Sequence, residues 1–309
     1  MGNLTTKKTL IVWFFTDDKP GHLNQLKGLE SRLSAHTEIK SRWLSVPSKN
    51  ISCFNILIKR FSLEGDFVPD LVVGAGSKTH KYLVAAKYSY NCFSLVLMRP
   101  SLPLSLFDGA VIPEHDNPPV NDKILVTLGV LNNIEPRAPR LSGVTENVRG
   151  LILIGGESKH YVWDDTLILK QLEQVLTGSV NVKEWVLSNS RRTPSSFLVK
   201  LKERNFPNIS IVEHQDTESL WLPEQMAKSE QIWVTPDSVS MIYESITSGA
   251  ATYAFDLQAK KESRVVRGIK VLLKKKLLSQ WPDIEPKSQP FVLWEVERVV
   301  NWLLKRMSL

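Results

Sequence analysis

The segment from Val234 to Glu244 runs from an apolar strand through a turn of small residues into a helix with a carboxylate one turn after its start. Amide groups at a helix start attract anions, and the hydroxyls of Ser238 and Ser240 lie beside them in the sequence. The pattern suits a diphosphate, and it places Glu244 to accept hydrogen bonds from a ribose. The structural alternative is that Asp237 or Ser238 only caps a helix that serves packing.

Two other strand ends in the second half of the chain carry groups that suit an anion. Gly155 and Gly156 follow one apolar run, and four polar residues follow another. These four are Ser190, Arg191, Arg192 and Thr193. Two guanidinium groups beside hydroxyls form a plausible phosphate clamp, although each motif alone could be a turn or a surface ion-pair site. The occurrence of three such loops in one half of the chain favours the functional interpretation.

The first strand is followed by residues that could take part in proton transfer. Asp17, Asp18 and His22 come directly after an apolar run, and a carboxylate or imidazole at a strand end can accept a proton from a hydroxyl. They are therefore candidate general bases, although Asp-Lys-Pro-Gly also favours a purely structural turn. The next strand ends in small residues around Gly76, where the backbone could approach a ligand closely or simply form a tight turn. This loop is not a P-loop, and it lacks the full dinucleotide fingerprint.

The elements that must position these loops alternate between apolar strands and helices, which predicts α/β architecture with parallel sheets. In the first half we expect strands at 10–15, 71–73, 93–98, 109–112 and 124–127, with helices at 23–34 and 79–87. In the second half we expect strands at 151–154, 182–187, 209–212, 231–234 and 251–254. The Pro-containing stretch 134–141 is the predicted linker. Ligands of such sheets bind beyond the carboxyl ends of the strands, where the loops described above lie.

Two further helices are predicted near the end of the chain. A terminal helix at 292–306 would place Val292, Val296, Val299, Val300 and Leu303 on one face that packs against a domain. Residues 260–278 combine Lys and Arg with apolar residues at helical spacing, which fits either a solvated helix face or a surface that meets a membrane or an acidic acceptor. The formal charge of +7 likewise favours anionic partners without choosing among them.

Several classes of protein are disfavoured by the sequence. Cys53 and Cys92 are too few for a disulfide framework, which favours a reducing, cytoplasmic setting. The six histidines are scattered and there is no Asp-x-Asp pair, so we expect neither a metal site nor a resident cofactor. Nucleic-acid modules are absent, and the first apolar run is too short to span a bilayer. The first six residues fit a loose myristoylation pattern that often arises by chance.

Taken together, these loops resemble the mitochondrial fission family named for elongated mitochondria in plants, which is similar to glycosyltransferases of GT-B architecture. The resemblance rests on residues 16–22 with Gln25, Arg99-Pro100, Phe107-Asp108, 113–116, 127–129, 153–156, 190–194, and 235–241 with Glu244. It implies two Rossmann-like domains with parallel sheets facing a central cleft. Residues 1–140 would form the acceptor domain and 141–290 the nucleotide-binding domain. Residues 291–309 would form a helix that crosses back to the first domain.

The resemblance also implies roles for individual residues. Glu244 would hold the ribose, while Ser238, Ser240 and Arg192 would hold the diphosphate, and Gly155 with Gly156 would let the donor approach. The full set expected at the donor is Gly155, Gly156, Ser190, Arg191, Arg192, Thr193, Asp237, Ser238, Ser240, Met241 and Glu244. The set expected at the acceptor is Asp18, Lys19, Gly21, Gln25, Gly76, Ser77, Arg99 and His115. Asp17 or His22 would be the base if the reaction inverts the anomeric centre.

The leading hypothesis is a metal-independent glycosyltransferase that moves a sugar from a nucleotide sugar to a lipid-linked or envelope glycan acceptor. It would work in the cytoplasm, with peripheral contact to an anionic membrane suggested by the basic segment. Two alternatives remain open. One is a non-catalytic adaptor of the same fold, of the membrane or organelle fission type, and the other is a nucleotide-sugar epimerase that needs no acceptor.

Overall fold

The computed structural model describes residues 9–46, 67–137, 148–284 and 291–309. The chain divides into two compact units. Unit 1 comprises Met1–Asn133 and Glu295–Leu309, and unit 2 comprises Ile134–Trp294. The first division falls before Ile134, whereas the sequence places it after position 140. The reason is that Arg137 is anchored within unit 2: its backbone N–H donates to the Ser248 carbonyl, and its guanidinium pairs with Glu230 at 2.7 Å.

The strands alternate with helices along the chain, as the sequence predicts. In unit 1 they are β1 (Leu10–Thr16), β2 (Ile39–Ser45), β3 (Leu71–Ala75), β4 (Phe93–Leu97), β5 (Gly109–Pro113) and β6 (Ile124–Thr127). In unit 2 they are β7 (Val148–Leu153), β8 (Val182–Ser188), β9 (Ile209–Val212), β10 (Gln231–Val234), β11 (Ala251–Ala254) and β12 (Ser279–Gln280). The edge strands β2 and β12 were not predicted, because β2 has mixed polar and apolar residues and β12 has only two residues.

The described helices are α1 (Pro20–His36), α2 (His80–Tyr90), α3 (Asp165–Gly178), α4 (Ser195–Glu203), α5 (Trp221–Lys228), α6 (Val239–Thr247), α7 (Arg264–Lys274) and α8 (Glu295–Arg306). α1 begins three residues before the predicted start, since Pro20 is pre-organised for the first helical position. None of the described helices combines the length and the apolar character needed to cross a lipid bilayer.

The sheet of unit 1 has the order β2-β1-β3-β4-β5-β6, and its neighbouring strands pair in parallel. β1 has β2 on one side and β3 on the other. The direction in which the chain adds strands to the sheet therefore reverses between β1 and β3. In doubly wound sheets a crevice opens at this reversal, beyond the carboxyl ends of the strands. The loops that begin at Asp17 and Gly76 lie at that point of the sheet.

The sheet of unit 2 is also parallel and has the order β9-β8-β7-β10-β11-β12. Numbered from its own first strand, this is 3-2-1-4-5-6, the order of dinucleotide-binding Rossmann folds. Its reversal lies between β7 and β10, where the loops that begin at Ile154 and Thr235 meet. The predicted α/β class with two parallel sheets is therefore confirmed.

The last two predicted helices both form, with changes in detail. α8 starts at Glu295, so Val292 precedes it and is 63% exposed, while Val296, Val299, Val300 and Leu303 are buried in unit 1. α7 buries Val266, Ile269 and Leu272 in unit 2 and exposes its Lys and Arg side chains. The apolar side of α7 is therefore used by the core of unit 2, as in an ordinary surface helix.

Candidate functional site

Asp237 is the centre of the polar cluster at the reversal point of unit 2. It follows β10, its side chain is only 1% exposed, and its Oδ2 accepts a hydrogen bond from the backbone N–H of Gly156 at 3.0 Å. The same oxygen pairs with Nη2 of Arg192 at 2.8 Å. Asp237 therefore connects the loops that follow β7, β8 and β10, and its carboxylate is directed at protein groups.

Arg192 is held in place from three sides. Besides Asp237, its guanidinium donates to the carbonyl oxygens of Glu157, at 3.0 Å, and Gly156, at 3.4 Å. The side chain is still 44% exposed, so part of the guanidinium edge faces solvent. Because a guanidinium carries five N–H donors in a rigid fork, these contacts fix its orientation and leave donors for a ligand.

The hydroxyl groups beside the arginines serve the protein itself. Ser190 Oγ donates to the Gly155 carbonyl at 2.7 Å, and the Thr193 hydroxyl contacts the same carbonyl. Ser190 Oγ also accepts the backbone N–H of Arg192 at 3.1 Å. The hydroxyls therefore join the β7 and β8 loops, and Arg191, which is exposed, is left as the more accessible cation of the pair.

Gly155 and Gly156 are required by close packing within unit 2. A Cβ atom at Gly155 would overlap the Asp237 carboxylate, and one at Gly156 would overlap the carbonyl group of Arg192. Gly155 N–H is bound by Thr235 Oγ1 at 2.7 Å. The two glycines therefore make room for atoms of Asp237 and Arg192. This packing is a reason for glycine in addition to the close approach of a ligand that the sequence predicts.

The start of α6 is exposed to solvent at Ser240, whereas the preceding Ser238 is buried at 9% exposure. Ser238 occupies the N-cap position without a side-chain capping bond, Ser240 is exposed, and Met241 is half-buried. Glu244 follows one turn later and is 8% exposed. Because the first amides of a helix have no partners within the helix, this end of α6 can receive an anion.

Burial governs the protonation of two acidic groups in the cluster. It raises the pKa of Asp237 and outweighs the opposing hydrogen bonds from Thr235 and Gly156 and the charge of Arg192. Burial, with the nearby charges of Asp237 and Glu262, also raises the pKa of Tyr161 to about 12. Asp237 therefore depends on Arg192 and Gly156 to stay ionised, and Tyr161 stays a neutral phenol at physiological pH.

A carboxylate–imidazole pair lies at the reversal point of unit 1. Asp17 follows β1, its side chain is 1% exposed, and its Oδ1 is 2.6 Å from Nδ1 of His22 in the first turn of α1. Lys19 Nζ lies 3.3 Å from Oδ2 of the same carboxylate. Burial raises the pKa of Asp17, but the hydrogen bond and charge of His22 and the bonds from Lys19 outweigh it, so the pKa lies below its usual value.

The loop after β3 closes against this pair. Gly76 has φ of +92°, and a Cβ atom there would lie 2.6 Å from Nδ1 and Cε1 of His22 and 3.0 Å from Asp17 Oδ2. Only glycine adopts this conformation without strain and leaves the space for the imidazole. Ser77 follows and is exposed. Gly76 and His22, which the sequence treats as separate candidates, are therefore direct neighbours.

The other predicted acceptor residues are distributed around this edge of unit 1. Gln25 is buried and donates to the Gly21 carbonyl at 3.2 Å, and its Nε2 lies 3.7 Å from Met98 Sδ. Asp18 is exposed and accepts a bond from Ser45 Oγ. Gln25 and Asp18 therefore have structural contacts that the sequence does not indicate.

Arg99 and His115 lie in the loops after β4 and β5. Arg99 is exposed and donates to the Asp116 carbonyl at 2.8 Å, while His115 is half-buried. Their assignment to an acceptor stays a prediction.

Three residues near these sites were missed as site residues. Met98 has φ of +69°, Thr235 binds the Gly155 amide, and Tyr161 packs near Asp237. Thr235 could have been found from its position at the end of β10, whereas a positive φ at a methionine leaves no signal in a sequence. In the described part of the chain, no group of three or more His, Cys, Asp or Glu side chains is arranged to hold a metal ion.

Comparison with solved structures supports the fold. A UDP-N-acetylglucosamine 2-epimerase superposes with a TM-score of 0.56 at 15% identity, covering 98% of this chain and 97% of that chain. The UDP-GlcNAc 2-epimerase from Neisseria meningitidis, solved with UDP-GlcNAc bound, gives 0.54 at 12% identity, with coverage of 96% and 100%. MurG from Acinetobacter baumannii gives 0.52 at 13% identity, with coverage of 97% and 92%. At these identities the likeness concerns the fold, which is of the GT-B type.

Comparison of sequences identifies the family. An uncharacterized protein from Rickettsia prowazekii (strain Madrid E), RP120, is 24% identical, and the match covers 79% of this chain and 82% of that protein. The family described as mitochondrial fission ELM1 matches residues 20–307, which include α1, all of unit 2 and all of α8. The predicted resemblance is thereby confirmed, and the chain belongs to the mitochondrial fission ELM1 family.

Proposed function

We propose that this protein is a glycosyltransferase that uses a nucleotide sugar as donor and a hydroxyl group as acceptor. The observation that carries the proposal is the Asp17–His22 pair. A carboxylate that is 1% exposed and bonded at 2.6 Å to an imidazole fixes the orientation and tautomer of that imidazole, an arrangement that is common at catalytic sites. Its position at the reversal point of the sheet, where ligands of this architecture bind, favours a catalytic use.

In this proposal His22 is the base and Asp17 is the residue that positions it. Asp17 Oδ1 accepts a hydrogen bond from Nδ1–H of His22, which leaves Nε2 free of a proton and able to take the proton of the acceptor hydroxyl. The acceptor oxygen forms a bond to the anomeric carbon as the bond from that carbon to the phosphate oxygen breaks. The nucleoside diphosphate leaves with the electron pair, so the sugar is transferred with inversion.

Unit 2 would hold the nucleotide in the same proposal. The exposed Ser240 at the start of α6, together with Arg191 and the exposed edge of Arg192, would supply donors for the diphosphate. Glu244, one turn into α6, would accept the ribose hydroxyls. The strand order of unit 2 supports this assignment, because it is the order in which a nucleotide binds between the first and fourth strands.

The test is an assay for release of nucleoside diphosphate from a panel of nucleotide sugars, with and without a lipid-linked glycan fraction. We expect acceptor-dependent release by the wild type and a loss of at least about a hundredfold in His22→Ala, since general base catalysis contributes about 10²–10⁴-fold. Asp17→Asn should also be impaired while nucleotide binding is kept. Conversion of the donor without any acceptor would instead support an epimerase.

A second candidate, a non-catalytic adaptor, is favoured by one feature of unit 2. The Ser190 and Thr193 hydroxyls and much of the Arg192 fork are already bonded to protein groups, as expected if the cluster has become structural. The family description, which names mitochondrial fission, fits this alternative. It predicts that His22→Ala and Glu244→Ala leave the cellular function intact, whereas both abolish it if the protein is a transferase.

The proposal includes contact between the basic segment 260–276 and an anionic membrane surface, held by the positive charge of the segment alone. Residues 260–276 contain eight Lys or Arg and one Glu, and all eight basic side chains are exposed. Leu277 and Leu278, which the sequence pattern places on an apolar face, are buried at 1% and 3% exposure and are not available to a lipid surface. Binding to vesicles should therefore require anionic lipid and weaken with salt.

A further inference from the structure

The loop that follows β7 is joined to the segment that follows β11. Val162 N–H donates to the Gln258 carbonyl at 2.9 Å, and Lys260 N–H donates to the His160 carbonyl at 2.8 Å, around an isolated antiparallel bridge between Tyr161 and Ala259. Lys260 Nζ adds a bond to the Ser158 carbonyl at 2.8 Å. The first part of the basic segment is therefore fixed to the loop that begins with Gly155 and Gly156.

This contact brings the basic segment to the Asp237 cluster. At one end of the loop, the Gly156 N–H is bound to Asp237 at 3.0 Å. Tyr161, five residues later, is 6% exposed, and the charges of Asp237 and Glu262 contribute to the raised pKa of its phenol. Lys261 follows Lys260, whose N–H is bonded to the His160 carbonyl at 2.8 Å, and burial with the charges of Lys159 and Lys261 lowers the pKa of the His160 imidazole.

Two acidic groups of this region are already paired with other cations, and a third, Glu157 of the β7 loop, is exposed. Asp237 pairs with Arg192 at 2.8 Å, and Glu262 pairs with Lys270 of α7 at 2.7 Å. Within the part of the chain that the structure describes, no carboxylate pairs with Lys159 or Lys261, and both side chains are exposed. Two uncompensated ammonium groups therefore flank the β7 loop, and Arg191 adds a third cation after the neighbouring strand β8.

We infer that Lys159 and Lys261 bind an anionic group of the nucleotide ligand at the edge of unit 2. This inference rests on the proposed function and adds two binding residues to it, one of which belongs to a segment that the sequence assigned to a solvated or membrane-facing surface. The group recognised is a phosphate or a carboxylate. It is either the diphosphate of the nucleotide or an acid group on the sugar.

The position of Lys261 divides the basic segment into two parts with different roles. Lys260 is bonded to the β7 loop and Lys261 is the next residue, whereas Lys274 and Lys276 lie at and just beyond the other end of α7, more than two helical turns away in sequence. If the segment attracts anions only through its overall charge, replacing either pair of lysines should weaken anion binding equally. A ligand site would distinguish them, which gives a matched control within the same segment.

The experiment compares the double variant Lys159→Gln/Lys261→Gln with the control Lys274→Gln/Lys276→Gln, which loses the same charge. Isothermal titration with inorganic pyrophosphate, UDP, ADP, GDP, UDP-glucose and UDP-glucuronic acid measures binding at fixed ionic strength. We expect the first variant to bind pyrophosphate and the preferred diphosphate about tenfold more weakly, as for the loss of two partly exposed ion pairs, and the control to match the wild type. If only UDP-glucuronic acid is weakened, the lysines bind the sugar carboxylate.

Other outcomes separate this inference from the proposed function. Equal binding by both variants and the wild type would overturn the role of Lys159 and Lys261 while leaving nucleotide binding in place. Lysine-dependent binding of pyrophosphate without binding of any nucleotide would support the anion site and contradict the proposed function. Absence of binding of any probe to the wild type would overturn both.

Discussion

Replacing Glu297 by glutamine is expected to loosen the contact between α8 and α1 in unit 1. The Glu297 carboxylate accepts bonds from Arg32 Nε, from His36 Nε2 at 3.1 Å and from Asn301 at 3.1 Å. Arg32 and His36 lie in the last turns of α1, whose first turn carries His22. The contact therefore fixes the helix that presents the proposed base.

The magnitude follows from the pKa of Glu297. The hydrogen bond from Arg32 lowers it most, and with His36 and Asn301 it outweighs burial, so the pKa falls from 4.5 to about 2. That difference corresponds to about 3 kcal/mol of stability at neutral pH. Because Glu297, Arg32 and His36 are each about a quarter exposed and glutamine can still accept a bond from Arg32, we expect a loss of about 1–2 kcal/mol.

The assay is urea unfolding of the full chain at pH 7 and at steps down to pH 3, for the wild type and Glu297→Gln. The folded pKa is depressed, so the stabilisation is present above the unfolded value near 4.5 and is lost as the pH falls towards 2. The difference between the two proteins should therefore shrink below about pH 4.5. Glu173→Gln, which breaks the exposed pair with Arg204, is the control and should cost less than about 1 kcal/mol. Equal stability of Glu297→Gln and the wild type at pH 7 would refute the reasoning.

Three further predictions concern single sites. Gly156→Ala should destabilise unit 2 by about 1–3 kcal/mol in thermal unfolding, because its Cβ would force the Arg192 main chain to move, and an unchanged melting temperature would contradict this packing. Gly76→Ala should lower donor turnover more than nucleotide affinity, since φ of +92° and contact with His22 are lost together; equal losses would argue against it. In peptide mapping at pH 8, Cys92 should resist iodoacetamide in the folded protein, because burial raises its thiol pKa to about 12, and rapid labelling would count against that burial.

The fold could be predicted from the sequence because its central strands are buried on both sides. β1, β3 and β10 are nearly continuous apolar runs, which is typical of parallel strands covered by helices. The edge strand β2 has the sequence IKSRWLS, and its burial is only partial, so it has no comparable pattern. The beginning of α8 was missed for a related reason, since Val292 continues the apolar spacing although it lies before the helix.

The loops of the site could be predicted, but the direction of their side chains could not. The sequence placed Asp237 beside a diphosphate, whereas the structure turns its carboxylate towards Gly156 and Arg192, which lie about 80 and 45 residues earlier in the chain. Asp17 and His22 were alternatives in the sequence and are partners in the structure, because the first turn of α1 brings position 22 back to the end of β1. The contacts of Asp237 depend on the tertiary fold and leave no local pattern in the sequence.

Isothermal titration of nucleoside diphosphates and nucleotide sugars into the wild type and Glu244→Ala tests directly whether unit 2 holds the donor. We expect saturable binding for one base, weakened about tenfold or more in Glu244→Ala, where the hydrogen bonds from the ribose to the Glu244 carboxylate are lost. Inorganic pyrophosphate, which has no ribose, should bind both proteins alike. No binding of any nucleotide at millimolar concentration, or equal nucleotide affinity of the two proteins, would contradict the claim that unit 2 holds the donor through Glu244.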